Sequence, residues 1–395
     1  MLPTAKIIND PVHGFIRIPE GRVLTVLNHP LVQRLRRLSQ LGLAQFVYPG
    51  AVHTRFAHAL GVMHLADEAL SSLSRKGANI PRTTWESVLI GALVHDIGHT
   101  PFSHSLERVI LPYSHEELGE MLLRLLEQEV GDLSEVHLIW QGQHPLPFLA
   151  ELLASQLDVD RLDYLVRDSF FTGVQEGLVG TERLIYTMTV HDGRLVVEEK
   201  GLTSVEKFIV TRRFMYWQVY LHKGVLGAEW LLRRWWAALV QSEETPDLLL
   251  HLRNAEPKEA LRVFIELDET RIWHWIYERA ESTFPPLRAL SRALLWRRPY
   301  KVWFLEGEKQ SDRRSIWEST LPRIARPWRD WFWLEGEAES QAYLPAQGEA
   351  IRILFKNGHL ASLTDVSPWL TGLSIPMRKP FVGAIPAAWL ESLLR

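Results

Sequence analysis

The residues with the most chemistry in them sit between His95 and His104, in the run HDIGHTPFSH. Adjacent His95 and Asp96 at a helix end bring one imidazole nitrogen and one carboxylate oxygen to the same small volume, which suits a divalent metal. His99 follows one turn on, and Gly98 lets the backbone leave the helix tightly. A helix C-terminus whose histidines meet the last carbonyls is the plainer alternative. Three histidines and one aspartate within ten residues favour the metal. Earlier in the chain, HTRFAH at His53–His58 places Arg55 and His58 three apart, on one helical face. His58 can be a further ligand or a half-buried imidazole. Arg55 can grip a phosphate with its planar fork or lie on the surface. The third piece is DVDRLDYLVRD, Asp158–Asp168. Asp160, Tyr164 and Asp168 form one stripe at i, i+4 spacing. Asp160 can close a metal site, while Arg161, Tyr164 and Asp168 offer a cation, a ring and an acceptor to a nucleotide. A salt-bridged, solvated helix is the competing account.

These groups need helices to position them, and the apolar spacing supplies several. Leu31, Leu35, Leu38 and Leu41 predict a helix over Asn28–Leu41. Phe56–Leu73 repeats the pattern. Thr84 is expected to cap a helix running to His95, with Glu86 in its first turn and Gly98 and Pro101 beyond its end. His115–Val130 and Leu149–Arg167 read as helices, and Ser204–Trp236 as one or two long ones. Strand signals are sparse before residue 180. Tyr186–Glu199 reads as a hairpin turning at His191-Asp192-Gly193. Ala350–Leu363 reads as strand, turn at Asn357-Gly358 and strand, and Pro376–Ile385 as another strand. The expected organisation is an α-helical domain over 1–240 and a smaller α+β C-terminal region over 241–395.

Composition narrows the function classes. The chain has 395 residues, 46% hydrophobic and 23% charged, enough for a large core. Its 44 basic and 47 acidic residues leave a net charge of −3, not that of a polyanion-coating protein. The absence of cysteine removes disulfides, thiol nucleophiles and iron–sulfur clusters together. The longest uncharged run, Leu38–Thr54, is too polar to span a bilayer, and Met1–Asp10 lacks a signal-peptide pattern. A cytoplasmic protein with no membrane partner is expected. Nine of 16 histidines fall in the first 115 residues, whereas 14 of 16 tryptophans fall after residue 216, so the two halves differ in make-up.

Six ordered motifs go further: INDPVHG at Ile8–Gly14, QRLRRLSQLG at Gln33–Gly42, HTRFAHALGV at His53–Val62, HDIGHTPFSH at His95–His104, SHEELG at Ser114–Gly119, and Asp158–Asp168. Together they resemble the HD-domain metal-dependent phosphohydrolases, and most closely the deoxynucleoside triphosphate triphosphohydrolases, over roughly residues 6–235. The fold implied is mainly α, an HD-domain helical bundle with the smaller α+β region after it. The resemblance implies one divalent ion (Mn, Fe, Ni, Mg, Co or Zn) on His58, His95, Asp96 and Asp160. It implies active-site histidines at His99, His104 and His115, with Glu107 where the family usually has aspartate. Arg55, Arg161 and Arg212 would meet the triphosphate. Gln40, Leu41, Tyr164, Asp168 and Tyr220 would meet sugar and base. Trp217, Gln218 and Leu221 depart from the family pattern around Arg212–Lys223. An intersubunit nucleotide site would fall near Lys6, Asn9, Asp10, Gln33 and Arg36, with Asn28 replacing its guanine-reading aspartate.

The function this implies is metal-dependent hydrolysis of (deoxy)nucleoside triphosphates to nucleoside and triphosphate by a homodimer or tetramer. Two alternatives stand beside it: an HD phosphohydrolase acting on a monophosphate or signalling nucleotide, and a nucleic-acid-binding or regulatory HD protein. The last draws on residues 288–329, where 11 basic residues outnumber 4 acidic ones among Trp296, Trp303, Trp317 and Trp328. A subunit interface or packed subdomain has the same composition.

Overall fold

The computed structural model describes residues 4–305, 310–340, 342–343 and 350–395. Its centre is the long helix Arg55–Arg75, started by the Thr54 hydroxyl accepting from the Ala57 amide. It is buried on most of its circumference and packs against the helices Arg82–Val94 and Val159–Thr172. The helix His115–Val130 begins with a full capping box, Ser114 and Glu117 each satisfying the other's backbone amide. Its apolar stripe, Leu118, Leu122 and Leu126, is buried as i, i+4 spacing requires.

Two glycines decide how closely these parts approach. A Cβ on Gly61 would stand 1.8 Å from Asp163 Oδ1, so only glycine lets that carboxylate reach the face of the central helix. A Cβ on Gly98 would stand 2.0 Å from the His115 carbonyl oxygen, so glycine lets the turn after Asp96 seat against the next helix.

Several local expectations are corrected. Asn28–Leu41 is not one helix. Pro30 opens a new helix, Pro30–Arg34, after an extended His29, and a 3-10 turn over Leu35–Arg37 follows. Leu38 is extended, and Ser39 then bridges to Thr54. Leu31, Leu35 and Leu38 are buried all the same. Thr84 is not a cap, since the helix starts at Arg82 after Pro81. The Thr84 hydroxyl donates to Glu135 instead, and the Glu86 carboxylate accepts from the Arg22 amide. Leu149–Arg167 is two helices, Phe148–Leu153 and Val159–Thr172. The break comes because Asp158 caps the second helix, accepting from the Ser155 and Arg161 amides. Ser204–Trp236 resolves into Leu202–Met215 and Lys223–Gln241, joined by a π-helical turn over Tyr216–Tyr220. A hairpin before residue 180, Thr4–Asp10 with Gly14–Pro19, went without a sequence signal because its apolar side chains do not alternate cleanly. Ile16 and Ile18 are buried while Ile7 and Phe15 face outwards.

Met188–His191 and Arg194–Glu198 form the expected hairpin around Asp192-Gly193. Arg194–Glu198 also pairs in parallel with Arg352–Leu354, which turns at Asn357-Gly358 to Leu360–Ser362. Met377–Ala384 is the middle strand of a second small sheet, between Lys301–Phe304 and Trp333–Ser340. The architecture is therefore mainly helical with small sheets. One hydrophobic cluster runs from Ile16 through Leu60 and Trp235 to Phe381 and Leu394. Trp235, Trp236, Trp275, Trp317 and Trp333 are buried in it, so these tryptophans serve the core. Of the four tryptophans in 288–329, Trp296 and Trp303 are exposed, Trp317 is buried and Trp328 is partly buried. Residues 306–309 of that stretch lie outside the described residues. No helix of the described residues is long and apolar enough to cross a membrane.

Candidate active site and metal centre

His58 projects from the first turn of the central helix. His95 and Asp96 follow the end of Arg82–Val94, and Asp160 stands in the first turn of Val159–Thr172. The fold brings all four side chains together. His58 Nε2 lies 3.0 Å from Asp160 Oδ1, 3.2 Å from His95 Nε2 and 3.9 Å from Asp96 Oδ2. His95 Nε2 lies 3.4 Å from Asp96 and 3.8 Å from Asp160. Ligand atoms about 2.0–2.2 Å from one small divalent ion stand roughly 3–4 Å apart, so His58, His95 and Asp96 suit a divalent ion, with Asp160 beside them.

The imidazoles are held for that purpose. His95 Nδ1 donates to the Ala92 carbonyl at 2.7 Å, and His58 Nδ1 donates to Asp163 at 2.7 Å. Each Nε2 is thereby turned to the common point. Without a metal, burial alone would lower the His58 pKa. Hydrogen bonds to Asp160 and Asp163 outweigh it and push His58 up to about 10. The cluster demands positive charge, which a proton supplies when no ion does.

The cluster forms part of the lining of a cavity of about 840 Å³. Further along its wall lie His99, His104 and His115. Glu107, behind them, accepts from His104 Nδ1 at 2.7 Å and His115 Nδ1 at 2.8 Å. The rings of His99 and His115 stack with centroids 4.0 Å apart. Hydrogen bonds from both histidines hold the Glu107 carboxyl far below the ordinary range. Burial lowers His115, but Glu107 raises it further, so its net shift is upward. Burial and then Arg55 hold His99 well below its usual value.

On the opposite wall Asp168 accepts from His53 Nε2 at 2.8 Å and from the Tyr220 hydroxyl at 2.7 Å. Tyr164 meets Tyr220 edge to face at 6.1 Å. Gln40, Leu41, Arg55 and Arg161 also line the cavity. Arg55 donates to Asp96 at 2.5 Å and to Ser103 at 3.1 Å, while Arg161 pairs with Asp158. Gln40 Oε1, His99 Nδ1 and Arg161 Nε are buried without a partner among the described residues, as expected of a wall built for a polar ligand.

Comparison with known proteins agrees with this geometry. The HD domain family model matches residues 55–168, and the HD associated region model matches residues 179–279. A phosphohydrolase of Bacteroides thetaiotaomicron has the same structure, with a TM-score of 0.86 and 38% identity over 96% of this chain and 99% of that one. The chain belongs to the HD-domain phosphohydrolases. An uncharacterized protein of Bacillus subtilis is 28% identical over 94% of this chain and 90% of its own length. A Dictyostelium discoideum protein named as a deoxynucleoside triphosphate triphosphohydrolase SAMHD1 homolog is 28% identical, and the match covers 58% of that protein.

The HD domain implies divalent-metal binding, and the His58, His95 and Asp96 group is where the residues of this chain fit an ion, with Asp160 beside it. One residue expected at the substrate, Arg212, and one expected with the active-site histidines, Glu107, stand apart from the cavity lining. Glu107 sits behind the two histidines it orients. Arg212 is buried, with one guanidinium nitrogen on the Gln156 carbonyl at 3.2 Å. Asp10, expected near an intersubunit nucleotide, has its carboxylate paired with Arg167 at 2.8 Å.

That pair belongs to a network whose function the sequence did not disclose. Asp163 is fully buried and accepts from His58, from His13 at 2.6 Å and from Arg167 at 2.8 Å. Arg167 in turn holds Asp10. Residues of the INDPVHG motif therefore orient a metal ligand. The i, i+4 pairing of Asp163 with Arg167 is visible in the sequence, but its target is not. His53, which holds Asp168, was likewise visible only as part of a motif.

Proposed function

We propose that this phosphohydrolase cleaves (deoxy)nucleoside triphosphates to nucleoside and intact triphosphate, using a divalent ion on His58, His95, Asp96 and Asp160. The observation that carries the reading is one cavity that joins the four-donor cluster to two guanidinium groups and to a wall of tyrosines and Asp168. Such an ion, when bound, acidifies a water and neutralises phosphoryl oxygens. Arg55 and Arg161 add charge-assisted hydrogen bonds to the phosphates. His99, held neutral, accepts a hydrogen bond from the attacking water. His115, whose pKa Glu107 raises, gives its proton to the leaving oxygen of the nucleoside. His104, the more exposed partner of Glu107, contacts the phosphates. Asp168 and Gln40 take the sugar hydroxyl, and Leu41 and Tyr220 close on the ring where a 2′-hydroxyl would sit.

A phosphomonoester substrate is the second reading. It is favoured by Arg212 standing off the cavity and by Arg55 and Arg161 each being paired already with a carboxylate. The test is a screen of purified, metal-loaded protein against nucleotides with product identification. Release of intact triphosphate is the expected result. Orthophosphate as the sole phosphorus product would replace the first reading by the second.

A further inference from the structure

One side chain of the cavity wall has no role in the chemistry above. Glu229 lies on the helix Lys223–Gln241, one turn after Val225, and both line the cavity. Val225 packs with Ala44, and Leu41 packs on the pair, so the wall one turn before Glu229 is apolar. Among the described residues Glu229 has no hydrogen bond and no ion pair. Arg233, one turn further on, is the nearest candidate, but its guanidinium donates to the Ser105 carbonyl at 2.7 Å and the His104 carbonyl at 3.0 Å. Burial pushes the Glu229 carboxyl up to about 7, against a weaker opposing pull from Arg233. A partly buried carboxyl left without a partner is unfavourable, and a ligand that donates to it removes the penalty.

We propose that Glu229 is the specificity residue for the nucleobase and that its carboxylate selects a base with paired N–H donors, guanine. This rests on the nucleotide reading of the cavity. Above pH 7, where Glu229 is ionised, its carboxylate only accepts hydrogen bonds. Guanine presents two adjacent N–H donors on its pairing edge, which two carboxylate oxygens can take together. Adenine and cytosine present an amino group beside an acceptor nitrogen. Thymine presents one N–H between two carbonyl oxygens that a carboxylate repels. The flat faces of the base fit the aliphatic wall of Leu41, Ala44 and Val225.

The experiment compares kcat/KM for the four deoxynucleoside triphosphates at pH 8, where Glu229 is ionised, in the wild type, Glu229→Gln and Glu229→Asp. The wild type should rank guanine first and thymine last. Glu229→Gln should cut the guanine-to-thymine ratio by about tenfold to a hundredfold, the range of one bidentate base contact. Glu229→Asp keeps the acceptor pair and should keep guanine first. An unchanged ranking in Glu229→Gln, or an equal loss on all four bases, overturns the inference and leaves the proposed reaction standing. Wild-type protein that turns over no nucleoside triphosphate defeats the proposed reaction itself, and the two failures are thereby told apart.

Discussion

At the scale of residues, the site depends on groups that never touch substrate. Asp163 fixes the tautomer and direction of His58, and His13 and Arg167 fix Asp163. Asp163→Asn should weaken divalent-metal binding by about tenfold to a hundredfold, read by titration calorimetry with no nucleotide present. Undiminished affinity would mean that His58 needs no such support. The arginines should divide by position. Arg161 lines the cavity and pairs with the buried Asp158, so Arg161→Ala should lower kcat/KM for a triphosphate by roughly tenfold to a hundredfold and lower the melting temperature as well. Arg212 bonds the Gln156 carbonyl behind the wall, so Arg212→Ala should act chiefly on stability. A larger kinetic loss for Arg212→Ala than for Arg161→Ala would move the phosphate channel.

At the scale of elements, the turn after Asp96 is clamped from two sides. Arg34, fully buried, donates to the Leu267 carbonyl at 3.0 and 3.2 Å and to the His99 carbonyl at 3.0 Å. It thereby ties the loop between Pro257–Ile265 and Glu269–Glu278 to the catalytic turn. Glu269 accepts from the amides of Ser39 and Phe102, where Phe102 and Ser103 both hold left-handed backbone (φ 59° and 57°). That strain persists because its surroundings fix it. Arg34→Met would leave two buried carbonyls unpaired and should destabilise the fold by about 2–4 kcal/mol, seen in urea unfolding. It should also reduce kcat, because the His99 backbone loses its anchor. Wild-type stability in this variant would contradict the clamp.

At the scale of the whole molecule, one continuous core joins the two compositional halves, since Arg194–Glu198 and Arg352–Leu354 share a sheet and Lys223–Gln241 packs on Pro285–Leu295. Titration couples the cavity to the stability of that whole. The Glu229 pKa is raised from 4.5 to about 7 on folding, so between those values the native state binds more protons than the unfolded chain. Its contribution is therefore lost as pH rises from about 4.5 to 7. Glu229→Gln should be more stable than the wild type at pH 8, by about 1–2 kcal/mol after discounting for contact with cavity water, and equal to it near pH 4. Equal melting temperatures at both pH values would contradict the raised pKa. Assembly is a matter for sedimentation: a species larger than the 45.6 kDa chain is the expected outcome, and a monomer at every concentration with nucleotide present counts against it.

The sequence alone carried the ligand types and the helices that present them. His95 and Asp96 were legible as a ligand pair because metal chemistry restricts residue types, His58 and Asp160 only as candidates on helical faces, and the resemblance to the HD-domain phosphohydrolases joined the four into one set. His115–Val130 was legible to the residue, since its capping box and leucine stripe are local signals. The break at Asp158 was less so, because a cap inside an apolar-periodic stretch looks like any other helical aspartate until the chain turns there. What only the tertiary structure decided is which elements meet. Asp10 reaches Arg167 and His13 reaches Asp163 across some 150 positions, Asp168 meets His53 and Tyr220, and Arg212 falls behind the cavity wall rather than in it. Glu229 shows the difference most clearly. In the sequence it is one acid on a long amphipathic helix, and its meaning comes from the unpaired position it takes in the cavity, because periodicity sets the face of a helix but only packing sets what that face looks onto.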